Sequence, residues 1–140
     1  MRRITDVRLP RRPGSRDPAA LHWLTLDDHG LISAIGPMPS RGAMAGESWH
    51  GDTLSPRGID LQINGGLGLA FTELSERDLP RIQELLKLLW RDGVEAIAPT
   101  LVTCAITPLR QSLAVLRQAR ERHQSSRCQL LGAHLEGPFL

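Results

Sequence analysis

The stretch from residue 58 to residue 71, GIDLQINGGLGLAF, constrains the fold of this chain more than any other. Its first half alternates between an apolar set and a polar set, which are Ile59, Leu61 and Ile63 against Asp60, Gln62 and Asn64. Alternation of period two predicts a β-strand with the two sets on opposite faces. The strand runs into a glycine loop at Gly65 and Gly66, and sites in α/β proteins collect at such carboxyl ends.

A helix and a second strand are predicted after the glycine loop. Ser75 and Asp78 form a capping-box pattern, and Gly93 stands where a glycine usually ends a helix. Between them, a stripe at helical spacing consists of Leu79, Ile82, Leu85, Leu86 and Leu89. Residues 94–102 then predict a buried strand, with a proline near its end.

A second helix and a third strand complete the predicted pattern. Thr107 and Pro108 are typical of a helix start, as cap and first helical residue. The apolar stripe that follows is Leu109, Leu113, Leu116 and Ala119. Residues 129–135 predict the third strand. The order β-α-β-α-β indicates an α/β fold with a parallel sheet.

Residues 1–57 read as a separate, loop-rich β unit, so we place a domain boundary between residues 57 and 58. Residues 21–26 and 31–35 predict a hairpin around the turn at residues 27–30. Trp23 is the expected apolar anchor of this unit.

Composition excludes several classes of protein. The 140 residues are 41% hydrophobic and 23% charged, as in a folded globular protein, and the net charge of +2 is too small to indicate a nucleic-acid partner. No apolar run reaches membrane length, so we expect no membrane partner. Two cysteines far apart in sequence fit a reducing cytoplasm.

Chemistry-bearing residues are predicted at the end of the third strand. His134 and Glu136 share one face of that strand, and parallel pairing would bring them to the same rim as Asp60, Gln62 and Asn64. An imidazole, carboxylates and carboxamides suit either a divalent metal or a network of sugar hydroxyls. Structural roles stay open: His134 bonding a backbone carbonyl, Asp60 bonding loop amides, and Glu136 simply solvated.

The glycine loop does not fit a dinucleotide-binding site. Gly66 and Gly68 give the first glycine pair of that fingerprint, but Phe71 stands where its third glycine belongs. The predicted helix begins several residues later, so its amino end does not reach the loop.

Three segments resemble the N-acetylglucosamine-6-phosphate deacetylase family of the amidohydrolase superfamily: SPRGIDLQINGGLGLAF, APTLVT at residues 98–103, and GAHLEGPFL. They occur in the family's order and spacing, and the resemblance covers essentially the whole chain. It implies a partial (β/α)8 TIM barrel over residues 58–140, with its first three strands and two helices. It also implies that residues 1–57 belong to the family's β-sandwich domain. Arg57-Gly58 departs from the family, which more often has a glycine and an aromatic or apolar residue there.

The resemblance implies a metal-dependent hydrolysis of the acetamide of N-acetylglucosamine 6-phosphate. Glu136, in the HLEGP motif, matches the carboxylate that binds the metal. Gln62 and Asn64 stand where many amidohydrolases carry two histidines, and carboxamides are weaker ligands than imidazole, so the resemblance implies one divalent ion, with Zn²⁺ expected. Other expected site-lining residues are Asp60, Gly65, Gly66 and His134.

The resemblance also implies that the chain is an amino-terminal fragment. The family's general base, its two later metal-binding histidines and its phosphate-binding groups are expected beyond Leu140, and a full barrel takes about 250 residues. We therefore expect the chain alone to be inactive and the complete enzyme to be a homo-oligomer. The alternatives are a non-catalytic remnant or interaction module, and a hydrolase of another N-acyl amino sugar.

Overall fold

The computed structural model describes residues 1–10, 20–42, 44–122 and 124–137. The chain divides into two compact units, Met1–Pro56 and Arg57–Leu140. Residues 11–19 and the last three residues, which include part of the GAHLEGPFL segment, lie outside the described residues. No helix in the described ranges is long and apolar enough to cross a membrane.

The first unit is a four-stranded sheet. Its strands are β1 (Arg2–Arg8), β2 (Leu21–Leu26), β3 (Ile32–Pro37) and β4 (Glu47–Ser48). They lie in the order β3-β2-β1-β4, with antiparallel pairs except for the parallel pair of β1 and β4. The predicted hairpin is confirmed as β2 and β3.

Asp27 closes the hairpin turn through its side chain. Its Oδ1 accepts the backbone N–H groups of His29 and Leu31, each at 2.9 Å. Gly30 takes a φ of 78°, a left-handed conformation that glycine adopts without steric cost. The turn chemistry in the sequence therefore determines where β2 ends and β3 begins.

Trp23 is not the apolar anchor of the first unit, contrary to the prediction. The buried core consists of Ile4, Val7 and Leu24. Because side chains alternate along a strand, Trp23 and Leu24 point to opposite faces of β2, and the core lies on the side of Leu24. The indole instead lies against Gly36, where an added Cβ would be 2.6 Å from the ring.

The second unit is a parallel sheet covered by two helices. Its elements are β5 (Gly58–Ile63), β6 (Gly65–Gly66), β7 (Leu69–Ala70), α1 (Leu79–Arg91), β8 (Val94–Val102), α2 (Ile106–Glu121), β9 (Gln129–Leu130) and β10 (His134–Glu136). β8 is central: β5 pairs with one of its edges, and β9 and β10 pair in succession with the other, all in parallel. The predicted α/β order is confirmed.

Helix α1 follows its sequence signals closely. Asp78 Oδ2 accepts the backbone N–H of Ser75 at 2.8 Å and the Ser75 hydroxyl at 2.9 Å. This capping contact first supports a 3₁₀ turn, Glu76–Asp78, and the α-helix begins at Leu79. The predicted stripe packs into the core, and Gly93 ends the helix with a φ of 88°.

Helix α2 differs from its prediction at both cap and stripe. It begins at Ile106, so Thr107 is a helical residue and not the cap, which is Ala105. The buried face holds Ser112, Val115, Leu116 and Ala119, whereas Leu113 is 36% exposed. Ser112 is buried because its hydroxyl accepts the Leu74 backbone N–H at 3.1 Å, which ties the loop before α1 to α2.

Pro99 distorts both neighbours of the central strand. On one side Asp60 pairs with Ile97 and Ile63 with Pro99, so β5 has one more residue than β8 over this interval. On the other side residues 131–133 separate β9 from β10 opposite only two residues of β8. Proline lacks the N–H that a ladder needs, and strands accommodate it at bulges.

The bulge in β5 breaks the predicted alternation. Ile63 packs against the core, but Ile59 and Leu61 are 58% and 66% exposed, so the three do not share one environment. An extra residue shifts the period-two pattern by one position. The third strand is likewise two short strands, and not one continuous strand over residues 129–135.

Candidate functional site

The carboxyl ends of β5 and β10 meet through a side-chain contact. Gln62 Nε2 donates a hydrogen bond to Glu136 Oε2 at 3.2 Å, and both residues are exposed. Parallel pairing of both strands with β8 brings them to the same end of the sheet. The structure therefore brings together two of the predicted site residues, an amide and a carboxylate.

Thr103 forms hydrogen bonds with the backbone at Glu136. Its hydroxyl lies 2.6 Å from the carbonyl oxygen of Gly137 and 3.3 Å from that of Glu136, and it donates to them. Sequence reasoning assigned no role to Thr103. Its position directly after the second strand, at the predicted rim, is the signal from which its role follows.

His134 is held by the neighbouring strand. Its Nδ1 lies 3.1 Å from the hydroxyl oxygen of Thr100, and the two residues are paired across β10 and β8. Thr100 is fully buried and His134 is half-buried. The partner of the imidazole is thus a side-chain hydroxyl and not a backbone carbonyl.

Asp60 does not reach the contact between Gln62 and Glu136. Its Oδ1 accepts the backbone N–H of Gln62 at 3.0 Å, so the carboxylate braces its own strand at the bulge. Burial raises the pKa of the Cys128 thiol to about 11, and the charge of Asp60 contributes in the same direction. Asp60 acts here as a structural residue, which was one of the open alternatives.

The glycine loop is a tight hairpin, β6 and β7. Its two turn residues, Leu67 and Gly68, have φ values of 52° and 76°, the sign that a two-residue type I′ turn requires at both positions. A Cβ on Gly65 would lie 1.9 Å from the carbonyl oxygen of Leu69, so this position has no space for a side chain. The carbonyl of Asn64, an exposed residue, accepts the Phe71 N–H at 3.0 Å and closes the hairpin.

The described residues contain part of a metal centre at most. Nowhere in ranges 1–10, 20–42, 44–122 and 124–137 do three His, Cys, Asp or Glu side chains group closely enough to hold an ion. Glu136 is the one carboxylate at the rim contact, and a structural zinc site takes four protein ligands while a catalytic one takes three. A metal centre at this rim would therefore need ligands besides Glu136.

No protein-family model matches the chain. Curated relatives named N-acetylglucosamine-6-phosphate deacetylase do match: the chain is 37% identical to the protein of Caenorhabditis elegans over 95 residues and 37% identical to that of Bos taurus over 91 residues. These alignments cover 65% and 64% of this chain but 22% of each relative. The chain thus spans about a fifth of the length of the curated relatives it matches.

A solved structure agrees with this similarity. The crystal structure of N-acetylglucosamine-6-phosphate deacetylase from Pasteurella multocida superposes with a TM-score of 0.57 and 25% identity. The superposition covers 99% of this chain and 35% of that one. The resemblance seen in the sequence motifs is therefore confirmed, and it concerns a part of those longer proteins.

Proposed function

We propose that this chain forms the amino-terminal part of a metal-dependent N-acetylglucosamine-6-phosphate deacetylase. The reaction would hydrolyse the acetamide of N-acetylglucosamine 6-phosphate to glucosamine 6-phosphate and acetate. The observation that carries the proposal is the contact between Gln62 and Glu136 at the carboxyl ends of two parallel strands. The similarity to deacetylases supports the choice of substrate.

We assign Glu136 as a ligand of one divalent ion, and we propose that this ion is Zn²⁺. Such an ion, when bound, polarises an amide carbonyl and lowers the pKa of water. Gln62 holds one carboxylate oxygen of Glu136 and so restricts the rotation of that side chain. Thr103 fixes the backbone at residues 136 and 137. The general base would come from beyond Leu140, so the chain alone is proposed to be inactive.

The proposal extends to the architecture. The second unit would correspond to the first three strands and two helices of a (β/α)8 barrel, and its open parallel sheet with two covering helices supports this. The first unit would belong to the β-sandwich domain. A cytoplasmic location and a homo-oligomeric complete enzyme are parts of the same proposal.

A non-catalytic interaction module is the second candidate. The large exposed fractions of Ile59 and Leu61 favour it, because neighbouring exposed apolar side chains on a sheet often mark a surface that binds another protein. Hydrolysis of another N-acyl amino sugar is the alternative within the enzyme proposal.

A chimera separates these candidates. The superposed part of the Pasteurella multocida enzyme is replaced by this chain, and acetate release from N-acetylglucosamine 6-phosphate is measured. Deacetylation is expected. Loss of a metal ligand should cost at least as much as loss of a supporting residue, so Glu136→Gln should lower activity by about 100-fold or more and reduce bound metal.

The matched control is Glu95→Gln, since Glu95 is an exposed glutamate at the opposite end of the sheet, near the start of β8. It should leave activity and metal content unchanged. A folded chimera without activity would favour the interaction module, and activity on a different N-acyl sugar only would correct the substrate.

A further inference from the structure

We propose that Thr100 fixes His134 in the tautomer that carries its proton on Nε2, so that His134 offers an N–H donor to an oxygen of a bound sugar. Of the two chemical uses that the sequence left open for this imidazole, metal ligation and sugar binding, this tautomer is compatible only with sugar binding. The identity of the sugar rests on the proposed function, whereas the tautomer does not.

The inference begins from the burial of Thr100. Its side chain is fully buried, and its hydroxyl oxygen lies 3.1 Å from His134 Nδ1. Among the residues that the structure describes, this hydroxyl makes no other hydrogen bond. A threonine hydroxyl has one proton to donate and needs an acceptor when it is shielded from water.

Only one arrangement of protons gives that hydroxyl an acceptor. If Nδ1 carried the imidazole proton, it would donate to the hydroxyl oxygen, and the hydroxyl proton would be buried without a partner. If Nδ1 is unprotonated, it accepts the hydroxyl proton, and neither group is left unsatisfied. Buried donors without partners are costly, so the second arrangement is favoured.

The Nε2 proton follows from this arrangement. A neutral imidazole has one N–H, and when Nδ1 is the acceptor, Nε2 is the donor. Metal ligation through Nε2 would require that nitrogen to lose its proton. Ligation through Nδ1 would use the same lone pair that accepts the hydroxyl proton of Thr100. His134 is therefore unsuited to either ligation or proton abstraction while Thr100 holds it.

The Nε2–H donor of His134 lies on the same side of the sheet as Glu136, the proposed metal ligand. His134 and Glu136 are two residues apart in β10, so their side chains leave the same face. His134 is only half-buried, which leaves part of the ring accessible to a ligand. The chemical class that fits a neutral N–H beside a carboxylate is a hydroxyl or carbonyl oxygen of a sugar.

Nitrogen-15 NMR of the labelled 140-residue chain tests the tautomer directly. At a pH well above the ordinary histidine pKa of about 6.5, the His134 ring should show a protonated Nε2 and an unprotonated Nδ1. A proton on Nδ1 in the wild-type chain would overturn the inference.

Variants at position 100 test the cause. Thr100→Val removes the hydroxyl at nearly constant volume and should let the Nδ1–H form appear, whereas Thr100→Ser should retain the wild-type tautomer. Thr25→Val is the control, because Thr25 is a buried threonine of the first unit whose hydroxyl bonds Ser33. An unchanged ring in a folded Thr100→Val chain would show that Thr100 does not select the tautomer.

Addition of N-acetylglucosamine 6-phosphate to the labelled chimera tests the donor role, because the phosphate-binding groups that the family resemblance implies are supplied there by the rest of the enzyme. A shift of the Nε2–H resonance of His134 is expected, with the tautomer retained. A retained tautomer with no response would overturn the donor role for this sugar. The deacetylase proposal is decided separately, by acetate release from the chimera, so the two can fail independently.

Discussion

The side chains of Gln62 and Glu136 are hydrogen-bonded at 3.2 Å although 74 positions separate them in the chain. The Gln62 amide donates to the carboxylate through Nε2, so the amide oxygen of Gln62 is the atom that remains free to bind another group. A carboxamide oxygen is a weaker ligand for Zn²⁺ than an imidazole nitrogen. This pair therefore predicts a centre with one strong ligand on this side of the rim.

Changing the amide pair to histidines should add a metal site. In the chimera, the unmodified chain should hold about one divalent ion, and Gln62→His combined with Asn64→His should allow a second, because imidazole competes better for Zn²⁺. Metal content by mass spectrometry of the purified protein measures this. Two ions per chain before any substitution would show that the amide pair has been misinterpreted.

The isolated chain should self-associate through β5. Leu61 is 66% exposed on a strand that, among the described residues, pairs with β8 alone, and such edges promote association. Leu61→Glu should shift the chain toward monomer in size-exclusion chromatography with light scattering. Leu31→Glu is the control, since Leu31 is 65% exposed in a turn of the first unit, and it should change little. Equal effects of both changes would exclude β5 as the contact.

Gly65→Ala should disrupt the glycine hairpin. The new Cβ would lie 1.9 Å from the Leu69 carbonyl oxygen, so the backbone has to move, and we expect a loss of at least about 3 kcal/mol in the free energy of unfolding. Gly68→Ala is the matched control. Its φ is 76° but no atom lies within 4 Å of the added Cβ, so it should cost about 1–2 kcal/mol, the left-handed penalty alone. Denaturant unfolding followed by the helical circular dichroism signal distinguishes the two.

Acid should weaken the second unit through Asp78. Hydrogen bonds from the backbone and then the side chain of Ser75, and the nearby charge of Arg81, lower the pKa of Asp78. A group whose folded pKa is depressed stabilises the fold above its unfolded pKa, about 3.9, and loses that contribution as the pH falls through the folded value.

The difference in free energy of unfolding between the wild-type chain and Asp78→Asn should therefore be largest near neutral pH and shrink below about pH 4. Ser75→Ala removes the hydroxyl donor to Asp78 but retains the backbone donor. Its free energy of unfolding at neutral pH should therefore lie between those of the wild-type chain and Asp78→Asn. A difference that stays constant from neutral pH to pH 2 would contradict this role for Asp78.

Local signals predicted most of the second unit. The Ser75 and Asp78 pattern, Gly93 and the bounds of β8 are visible in the sequence because each depends on neighbouring residues. The start of α2 was misplaced because Thr107 and Pro108 fit a helix cap and also fit the first turn of a helix, and nothing local separates the two. Ser112 looks like a surface residue until the partner of its hydroxyl, the Leu74 amide, is known.

Long-range contacts account for the rest of the site. The sequence predicted that Gln62 and Glu136 would share a rim because parallel strands bring their carboxyl ends together. It left open whether Asp60 faces the site or bonds backbone amides, because the outcome depends on a bulge opposite a proline in another strand. Nor did it show the partner of His134, since Thr100 lies 34 positions away.

Pro99 divides the hydrogen-bond ladder of the central strand into two patches. One patch joins residues 94–99 to β5 and residues 96 and 97 to β9, and the other joins residues 100–102 to β10, which carries His134 and Glu136. Ladders interrupted in this way open as separate cooperative segments, each with its own rate of amide hydrogen exchange. We therefore expect the patch beneath the site to open independently of the other, so that its backbone amides exchange hydrogen at a rate of their own.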